Sequence, residues 1–304
     1  MLERPGALRH MRGMTGCRID HLVLPTAGLD TARARLAALG FTVAPVGVHP
    51  FGTVNCCVYF GGGTFLEPLA IGDKAAVEMA IEQDNVFVSR DAAYRQRNGK
   101  EGFSAIVFGT ADVAADHRRF QHNGISAGAM LEFSRPFVDA AGKSDVAKFK
   151  LAFASVQAQQ DVFFFTCQRL NAPEVDRSAL ERHPNGVSGI KEVVLTAENP
   201  LLFKSLLAQV ASTDEVLASY ACLEIKARNG TISVLDPSAF HARFGLEEVG
   251  NGLRASAVVF AVTELTVVER LLKHGAIAYE RRDQRIVVPA APGQGATFVF
   301  EDAT

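Results

Sequence analysis

A fourfold internal repeat is the feature that most restricts what this chain can fold into. Residues 19–41 align without a gap with residues 103–125, a third copy begins at residue 190, and a fourth begins at residue 255. Each copy has the pattern of a strand, a helix and a further strand, and three copies end the helix at a glycine. More strand patterns follow each opening segment. The sequence therefore predicts an α+β protein built from four βαβββ modules.

Length, composition and charge are typical of a globular protein with a large core. The chain has 304 residues, of which 48% are hydrophobic and 21% are charged, enough for two ordinary domains. A net charge of −2 gives no electrostatic reason to expect binding to nucleic acid or to an anionic membrane surface. No apolar run approaches the roughly 20 residues that span a bilayer. We therefore expect neither a nucleic acid nor a membrane as a partner.

The cysteines and the N-terminal segment favour a cytoplasmic location. Five cysteines, an odd number without Cys-x-x-Cys spacing, indicate free thiols in a reducing compartment. Cys56 and Cys57 would point to opposite faces of a strand, and we expect packed thiols rather than a nucleophile. Residues 1–16 contain arginines but no apolar stretch typical of a signal peptide, so they are predicted to be a disordered tail.

Two segments that interrupt the repeat indicate how the modules are grouped. Residues 173–188 are polar and rich in turn residues, which predicts a linker between an N-terminal half at 17–172 and a C-terminal half at 189–304. Residues 73–100 have helical spacing and many charges. They can pack over the mouth of the first sheet.

A histidine and a glutamate lie on the strand patterns that begin and end the first module. His21 is at the centre of residues 19–24, and Glu67 lies in the apolar run of residues 64–71. Side chains alternate along strands and strands pair laterally, so these two groups can meet on one sheet face. They could form half of a divalent-metal site or, without metal, a general base and its orienting carboxylate. A purely structural buried pair is the third interpretation.

Three further polar residues are candidates for ligand contact. His49 lies in a loop ahead of a strand and can reach over the sheet, although an exposed loop histidine is the simpler interpretation. Asn55 can bind a ligand or cap a turn. Gln168 is predicted to share a sheet face with Thr166, two residues earlier. We expect Gln168, His49 or water to complete a shell around the histidine and glutamate of the first module.

The sequence resembles the vicinal oxygen chelate superfamily, which includes glyoxalase I, extradiol dioxygenases and bleomycin-resistance proteins. The runs I-D-H-L-V-L, H-P-F-G-T-V-N and G-T-F-L-E-P-L, with F-F-F-T-C-Q and H-P-N-G further on, are similar to its glyoxalase-like domain group over residues 19–195. The resemblance implies modules that pair into two cup-shaped sheets. It also implies metal ligands on the first and last strands of each module.

The chain fills the ligand positions implied by the resemblance only in part. His21 and Glu67 match two of them, whereas Ala105 occupies the second first-strand position and Thr166 lies near the second last-strand position. In the C-terminal half, Glu192 falls at the position of His21 without a matching partner. The incomplete set argues against glyoxalase I activity and extradiol ring cleavage. It predicts that the C-terminal half is mainly structural or dimer-forming.

The sequence leaves three functions open and does not decide whether the chain is an enzyme. The first is a glyoxalase-like lyase or isomerase acting on a small oxygen-rich molecule in the N-terminal cup, with one divalent metal (Zn, Ni, Mn or Fe) or none. The second is a metal-free protein that sequesters a small aromatic or antibiotic-like ligand, as bleomycin-resistance proteins do. The third is an interaction scaffold whose cup is filled by residues 73–100. A homodimer is compatible with each.

Overall fold

The computed structural model describes residues 16–138, 144–156, 161–171, 176–248 and 252–303. Most of the predicted N-terminal tail, residues 1–15, and part of the predicted linker, residues 173–175, lie outside this range. The described residues form two β-sheets, with helices on them, that follow each other along the chain.

Nine strands form the first sheet: β1 (Arg18–Pro25), β2 (Gly47–Val48), β3 (Thr53–Asn55), β4 (Val58–Tyr59), β5 (Phe65–Ile71), β6 (Ala105–Gly109), β7 (Leu131–Val138), β8 (Ser144–Ala154) and β9 (Phe163–Asn171). Their order is β2-β3-β5-β1-β6-β9-β8-β7, with β4 paired to β5. The first and last strands of each module are parallel neighbours, β1 with β5 and β6 with β9. The two modules join through the antiparallel pair β1 and β6.

Eight strands form the second sheet: β10 (Val187–Thr196), β11 (Val216–Ala218), β12 (Cys222–Ala227), β13 (Gly230–Leu235), β14 (Arg254–Val262), β15 (Glu280–Arg282), β16 (Arg285–Val288) and β17 (Thr297–Asp302). Their order, β11-β12-β13-β10-β14-β17-β16-β15, repeats the arrangement of the first sheet. The predicted α+β fold of four paired βαβββ modules is confirmed. The last strand of the third module, unclear from the sequence, is β13, because it pairs in parallel with β10.

Seven α-helices accompany the strands of the described residues. Four follow the first strands of the modules: α1 (Leu29–Ala38), α4 (Val113–His122), α5 (Lys204–Ala211) and α7 (Leu265–His274). Three lie outside the repeat: α2 (Lys74–Glu82), α3 (Val86–Asn98) and α6 (Pro237–Phe244). Asp73 and Asn85 cap α2 and α3 by accepting hydrogen bonds from their first backbone amides. In the described part of the chain, no helix is long and apolar enough to cross a membrane.

One hydrophobic core connects the two sheets. It contains one face of β1, one face of β10 and buried residues of all four module helices. Phe41, just after α1, lies at its centre, with ring centroids 5.3 Å from Phe260 and 5.9 Å from Phe298 of the second half. Each sheet therefore uses one face to pack against the other half, which leaves its second face for other contacts.

Residues from the segment that interrupts the repeat cover part of the second face of the first sheet. Over the first sheet, Val77 of α2 and Phe87 of α3 pack in a cluster with Val23 and Val107. Residues 73–100 thus lie over this sheet, as their position in the sequence suggested. The region above the first sheet is where the candidate site lies.

The two edges of the first sheet meet through aromatic side chains. Phe133 on the edge strand β7 packs edge-on against His49 at 5.8 Å and Phe51 at 5.2 Å, measured between ring centroids. His49 and Phe51 follow β2, the opposite edge strand. The sheet therefore curls until its ends touch, which produces the closed wall of a cup.

Replacing Phe41 by alanine should lower the free energy of unfolding by about 3–5 kcal/mol, because it leaves a cavity where the two halves share a core. Denaturant unfolding followed by circular dichroism measures this change. Leu202→Ala is the matched control, since Leu202 is 69% exposed, and it should change stability by less than about 0.5 kcal/mol. Equal, small effects of both substitutions would contradict a core shared by the two halves.

Candidate functional site

A β-bulge places two consecutive side chains, Asp20 and His21, on the same side of the first sheet. Between β1 and β6, Ile19 pairs with Phe108 and His21 with Val107, so Asp20 is the extra residue. Asp20 Oδ1 lies 2.8 Å from His21 Nδ1, and both residues line one pocket. In a regular strand these neighbours would point to opposite faces.

The second half of the chain holds the backbone at this bulge. Asn229, in the turn between β12 and β13, accepts a hydrogen bond from the Ile19 amide at 2.7 Å. Its Nδ2 donates to the Ile19 carbonyl at 2.9 Å and to Thr64 Oγ1 at 2.8 Å. Both backbone groups of Ile19 are therefore satisfied next to the bulge.

Glu67 is a buried carboxylate with three polar neighbours. It lies on β5, pairs with Val23 of β1 and is only 4% exposed. Asn55 Nδ2 donates to its Oε1 at 2.6 Å. His21 Nε2 lies 3.5 Å from Oε2, and His49 Nε2 lies 3.6 Å from Oε1. The structure thus brings four of the residues singled out by sequence to one point, from β1, β3, β5 and the end of β2.

His49 is buried in the pocket rather than exposed on a loop. Its Nδ1 lies 2.9 Å from Thr53 Oγ1, and its ring stacks on Phe51 with centroids 5.0 Å apart. Burial lowers the pKa of His49 to about 4, despite the opposing effect of Glu67. The positive charge of Arg135 acts in the same direction as burial and contributes to this low pKa. His49 is therefore neutral at neutral pH, and its Nε2 faces the carboxylate.

Asp20 is ionised and holds His21 from the other side. Burial alone would raise the pKa of Asp20, but the hydrogen bond and charge of His21 and the charge of Arg169 outweigh it, so the pKa is lowered. Arg169 Nη2 donates to Asp20 Oδ1 at 2.8 Å. An ionised acceptor at Nδ1 fixes the orientation of the His21 ring and turns Nε2 towards Glu67.

Gln168 does not belong to this site. Its Oε1 accepts from the Val113 amide at 3.1 Å and its Nε2 donates to the Ala111 carbonyl at 2.7 Å, so it is bound to the start of α4. The residues of β9 that line the pocket include Cys167 and Arg169, on the opposite face. The structure therefore places Gln168 outside the pocket lining, and the residues of β9 that face the pocket differ by one position from those expected.

The same one-residue shift changes which residue corresponds to Glu67 in the second module. Glu67 pairs with Val23, and the equivalent pair in β9 and β6 is Phe165 with Val107. Thr166, expected near this position, is fully buried on the other face. The second module thus contributes an aromatic ring, not a ligand atom, opposite the glutamate.

The pocket is lined mainly by aromatic rings and has a volume of about 510 Å³, its open mouth included. Six phenylalanines contribute to the lining: Phe51, Phe65, Phe87, Phe133, Phe149 and Phe165. The ring of Phe65 stacks on that of His21 with centroids 4.6 Å apart. Arg135 and Arg169 are the two cations of the lining. The site is a small aromatic cup with one row of polar groups.

Sequence reasoning missed Asp20, Arg135 and Arg169. The bulge that aims Asp20 into the pocket leaves no mark in the hydrophobic pattern. Arg169 could have been found, because it continues the alternation of Phe165 and Cys167 along one face of β9. Arg135 reaches the site only because the sheet closes on itself, which no local signal reports.

Helix α6 covers the equivalent position of the second sheet. Glu192, which takes the place of His21, forms an ion pair with Arg243 of α6, with 2.8 Å between Oε1 and Nη1. Phe240 and Phe244 of the same helix pack on the sheet residues Val194, Val259 and Val299. Helix α6 therefore lies where a ligand of the second half would bind.

Comparisons with known proteins agree with this architecture. The model of the family described as glyoxalase-like domain matches residues 19–211. A hypothetical protein from Staphylococcus aureus has a TM-score of 0.64 at 15% identity, over 94% of this chain and 99% of that one. No curated protein matches by sequence.

Two similar solved structures are enzymes by their descriptions. A mutant 4-hydroxymandelate synthase from Streptomyces coelicolor has a TM-score of 0.57 at 13% identity, covering 95% of this chain and 93% of that one. The Mn(II)-bound glyoxalase from Novosphingobium aromaticivorans has a TM-score of 0.53 at 11% identity, covering 95% and 82%. At such identities the similarity shows the fold alone. With the family model matching more than half of its residues, the chain belongs to the glyoxalase-like domain family of the vicinal oxygen chelate superfamily.

Proposed function

We propose that the N-terminal pocket is a catalytic site in which Glu67 takes a proton from a small oxygen-rich molecule, in glyoxalase-like lyase or isomerase chemistry. The observation that carries the proposal is the arrangement of two imidazoles facing the two oxygens of one buried carboxylate. Such a group, in an apolar pocket and held by fixed neighbours, is suited to act as a general base.

The contacts of the two oxygens assign them different roles. Glu67 Oε1 accepts the 2.6 Å hydrogen bond from Asn55 and lies 3.6 Å from His49 Nε2, whereas Oε2 lies 3.5 Å from His21 Nε2 and accepts no hydrogen bond within the described part of the chain. Oε2 is therefore the proton acceptor. When the C–H bond of a hydroxyl-bearing carbon next to a carbonyl breaks, its proton goes to Oε2, its electron pair forms a C=C bond, and the carbonyl π pair moves to the carbonyl oxygen. The proton then returns to the former carbonyl carbon while the hydroxyl proton moves to the neighbouring oxygen, and the hydroxyl-bearing carbon becomes the new carbonyl, which completes an isomerisation.

The donor atoms of the site fit a divalent metal by their chemistry. His21 Nε2, His49 Nε2 and the Glu67 carboxylate are the nitrogen and oxygen ligands that first-row divalent ions accept. Both Nδ1 atoms have partners, Asp20 and Thr53, as the histidines of metal sites usually do. Among the described residues, however, no group of three or more such side chains is already spaced around an ion position. A bound ion would polarise the substrate oxygens and stabilise the developing charge.

A second candidate function is metal-free binding of a small apolar or aromatic ligand. Ala105 and Phe165 replace two of the ligands that the resemblance implies, and six phenylalanines line the pocket. This composition suits sequestration as well as catalysis. A ligand that binds equally well to the parent and to a Glu67→Gln variant, with no turnover in either, would favour this candidate.

The interaction-scaffold hypothesis is less well supported, because residues 73–100 contribute Phe87 of α3 to the pocket lining and leave the pocket open. A cytoplasmic location and a homodimer stay predictions. Size-exclusion chromatography with light scattering tests the second of these.

Glu67→Gln should abolish proton exchange at the carbon that carries the hydroxyl group in 2-hydroxyacetophenone and hydroxyacetone. The amide keeps the shape but cannot accept the proton, and we expect a fall of about 100-fold or more. Proton NMR in D₂O measures the exchange. His241→Ala, a change to an exposed histidine of α6, is the control. Exchange that is unaffected by Glu67→Gln, or absent with the parent protein, would overturn the proposed chemistry.

His21→Ala should reduce divalent-metal binding by roughly tenfold or more, because it removes one of three donor groups. Elemental analysis after equilibration with Mn²⁺, Fe²⁺, Ni²⁺ or Zn²⁺ measures the metal content of the variant and of the parent protein. His241→Ala serves again as the matched control and should keep the parent's content. Equal and negligible metal in the parent and in His21→Ala would exclude a metal site at this position.

The stability of the metal-free protein should fall as the pH drops from 6.5 to 4. His49 has a pKa of about 4 when folded and about 6.5 when unfolded, so the unfolded chain binds the proton first. At about 1.4 kcal/mol per pH unit, the loss reaches about 3 kcal/mol. Urea unfolding in EDTA measures it. The variant His49→Asn, which has no imidazole, should lose correspondingly less, and an identical pH profile would contradict a buried neutral His49.

A further inference from the structure

We infer that the pocket selects a small molecule carrying a negative charge on an aromatic body, and that Arg135 recognises the charge. The inference rests on the proposed function in placing the ligand in the N-terminal pocket. It adds the substrate class, which the family description does not give.

Arg135 crosses the gap between the two edges of the first sheet. It lies on β7, yet a Cβ added to Gly47 of β2 would lie 2.8 Å from Arg135 Nη1 and would overlap the side-chain oxygen of Asn55. Its guanidinium therefore lies beside Asn55, the residue that donates to Glu67. A glycine at position 47 leaves the space in which these two side chains meet.

The guanidinium of Arg135 has no acidic partner among the described residues, although it is half-buried. Arg169, the other cation of the pocket, is paired with Asp20 at 2.8 Å. Arg135 instead lies over the Phe149 ring, 5.6 Å from its centroid. An arginine held against an aromatic face keeps a planar set of donors that matches a carboxylate in two parallel hydrogen bonds.

The rest of the lining determines the body of the ligand. Phe87 comes from α3, Phe133 from β7 and Phe165 from β9, so rings approach the pocket from three sides. These surfaces favour a flat apolar group, and aromatic pairs add to the stabilisation given by burial alone. A ligand with its ring among the phenylalanines and its anionic group on Arg135 would lie beside Asn55 and Glu67.

The test compares phenylacetate with phenylacetamide, which has nearly the same shape but no charge. Calorimetry or ligand-observed NMR with the full chain at pH 7.5 gives both affinities. We expect the parent protein to bind phenylacetate about tenfold more tightly than phenylacetamide. Arg135→Met should remove this preference, and Arg135→Lys should retain part of it. Arg118→Met, at an exposed position of α4, should leave it unchanged.

Equal binding of the two compounds by the parent, binding of neither, or a preference that survives Arg135→Met would overturn the inference. Thermal unfolding of each variant shows whether a loss of binding reflects a loss of folding. The proposed function can fail separately, because it depends on proton exchange by Glu67. A charge preference without Glu67-dependent exchange would overturn the chemistry and leave the recognition of the anion intact.

Discussion

The carboxylate of Glu67, buried in an aromatic cup, is the constraint on which the first half of the molecule depends. An ionised carboxylate removed from water is destabilising by several kcal/mol unless hydrogen-bond donors and polar groups surround it. Here one donor comes from β3 and two imidazoles come from β1 and from the end of β2. Four strands must keep their register for this arrangement to exist. The features that make the residue difficult to bury also make it chemically useful.

The first strand of each half carries the same β-bulge, but the side chains at the bulge have different contacts. The bulge before His21 recurs in the second sheet, where the pairing of β10 with β14 shifts between Ile190 and Glu192. There the bulged Lys191 pairs with Glu301 at 2.9 Å, and Glu192 pairs with Arg243. The bulge that places Asp20 and His21 in a pocket in one half places two charges beside oppositely charged partners in the other. The open pocket and the covered one therefore differ in side chains and in α6 rather than in fold.

Features of the fold and the site were predictable from sequence where residues close together in the chain determine them. The repeat, the module helices and the first strands were read correctly because hydrophobic periodicity within a short window reports them. The last strands follow loops of different length, and an error of one residue moves every side chain to the other face. For this reason the sequence pointed to Gln168 and Thr166 on β9, whereas the residue that corresponds to Glu67 in the second module is Phe165. His49 and Arg135 reach the site only through closure of the sheet, a property of the whole domain.

The two hydrogen bonds between Asn229 and Ile19 restrict the length of the hairpin that carries Asn229. They join residues 210 positions apart, and they hold the strand just before His21. The hairpin of β12 and β13 contacts no ligand in the proposed scheme, yet a change in its length would move the amide that braces the opposite domain. A module whose own sheet face is covered by α6 thus supports the backbone of the module that contributes His21 and Glu67 to the pocket. Cutting the protein between its halves would remove that support, even from a fragment that retained every residue of the cup.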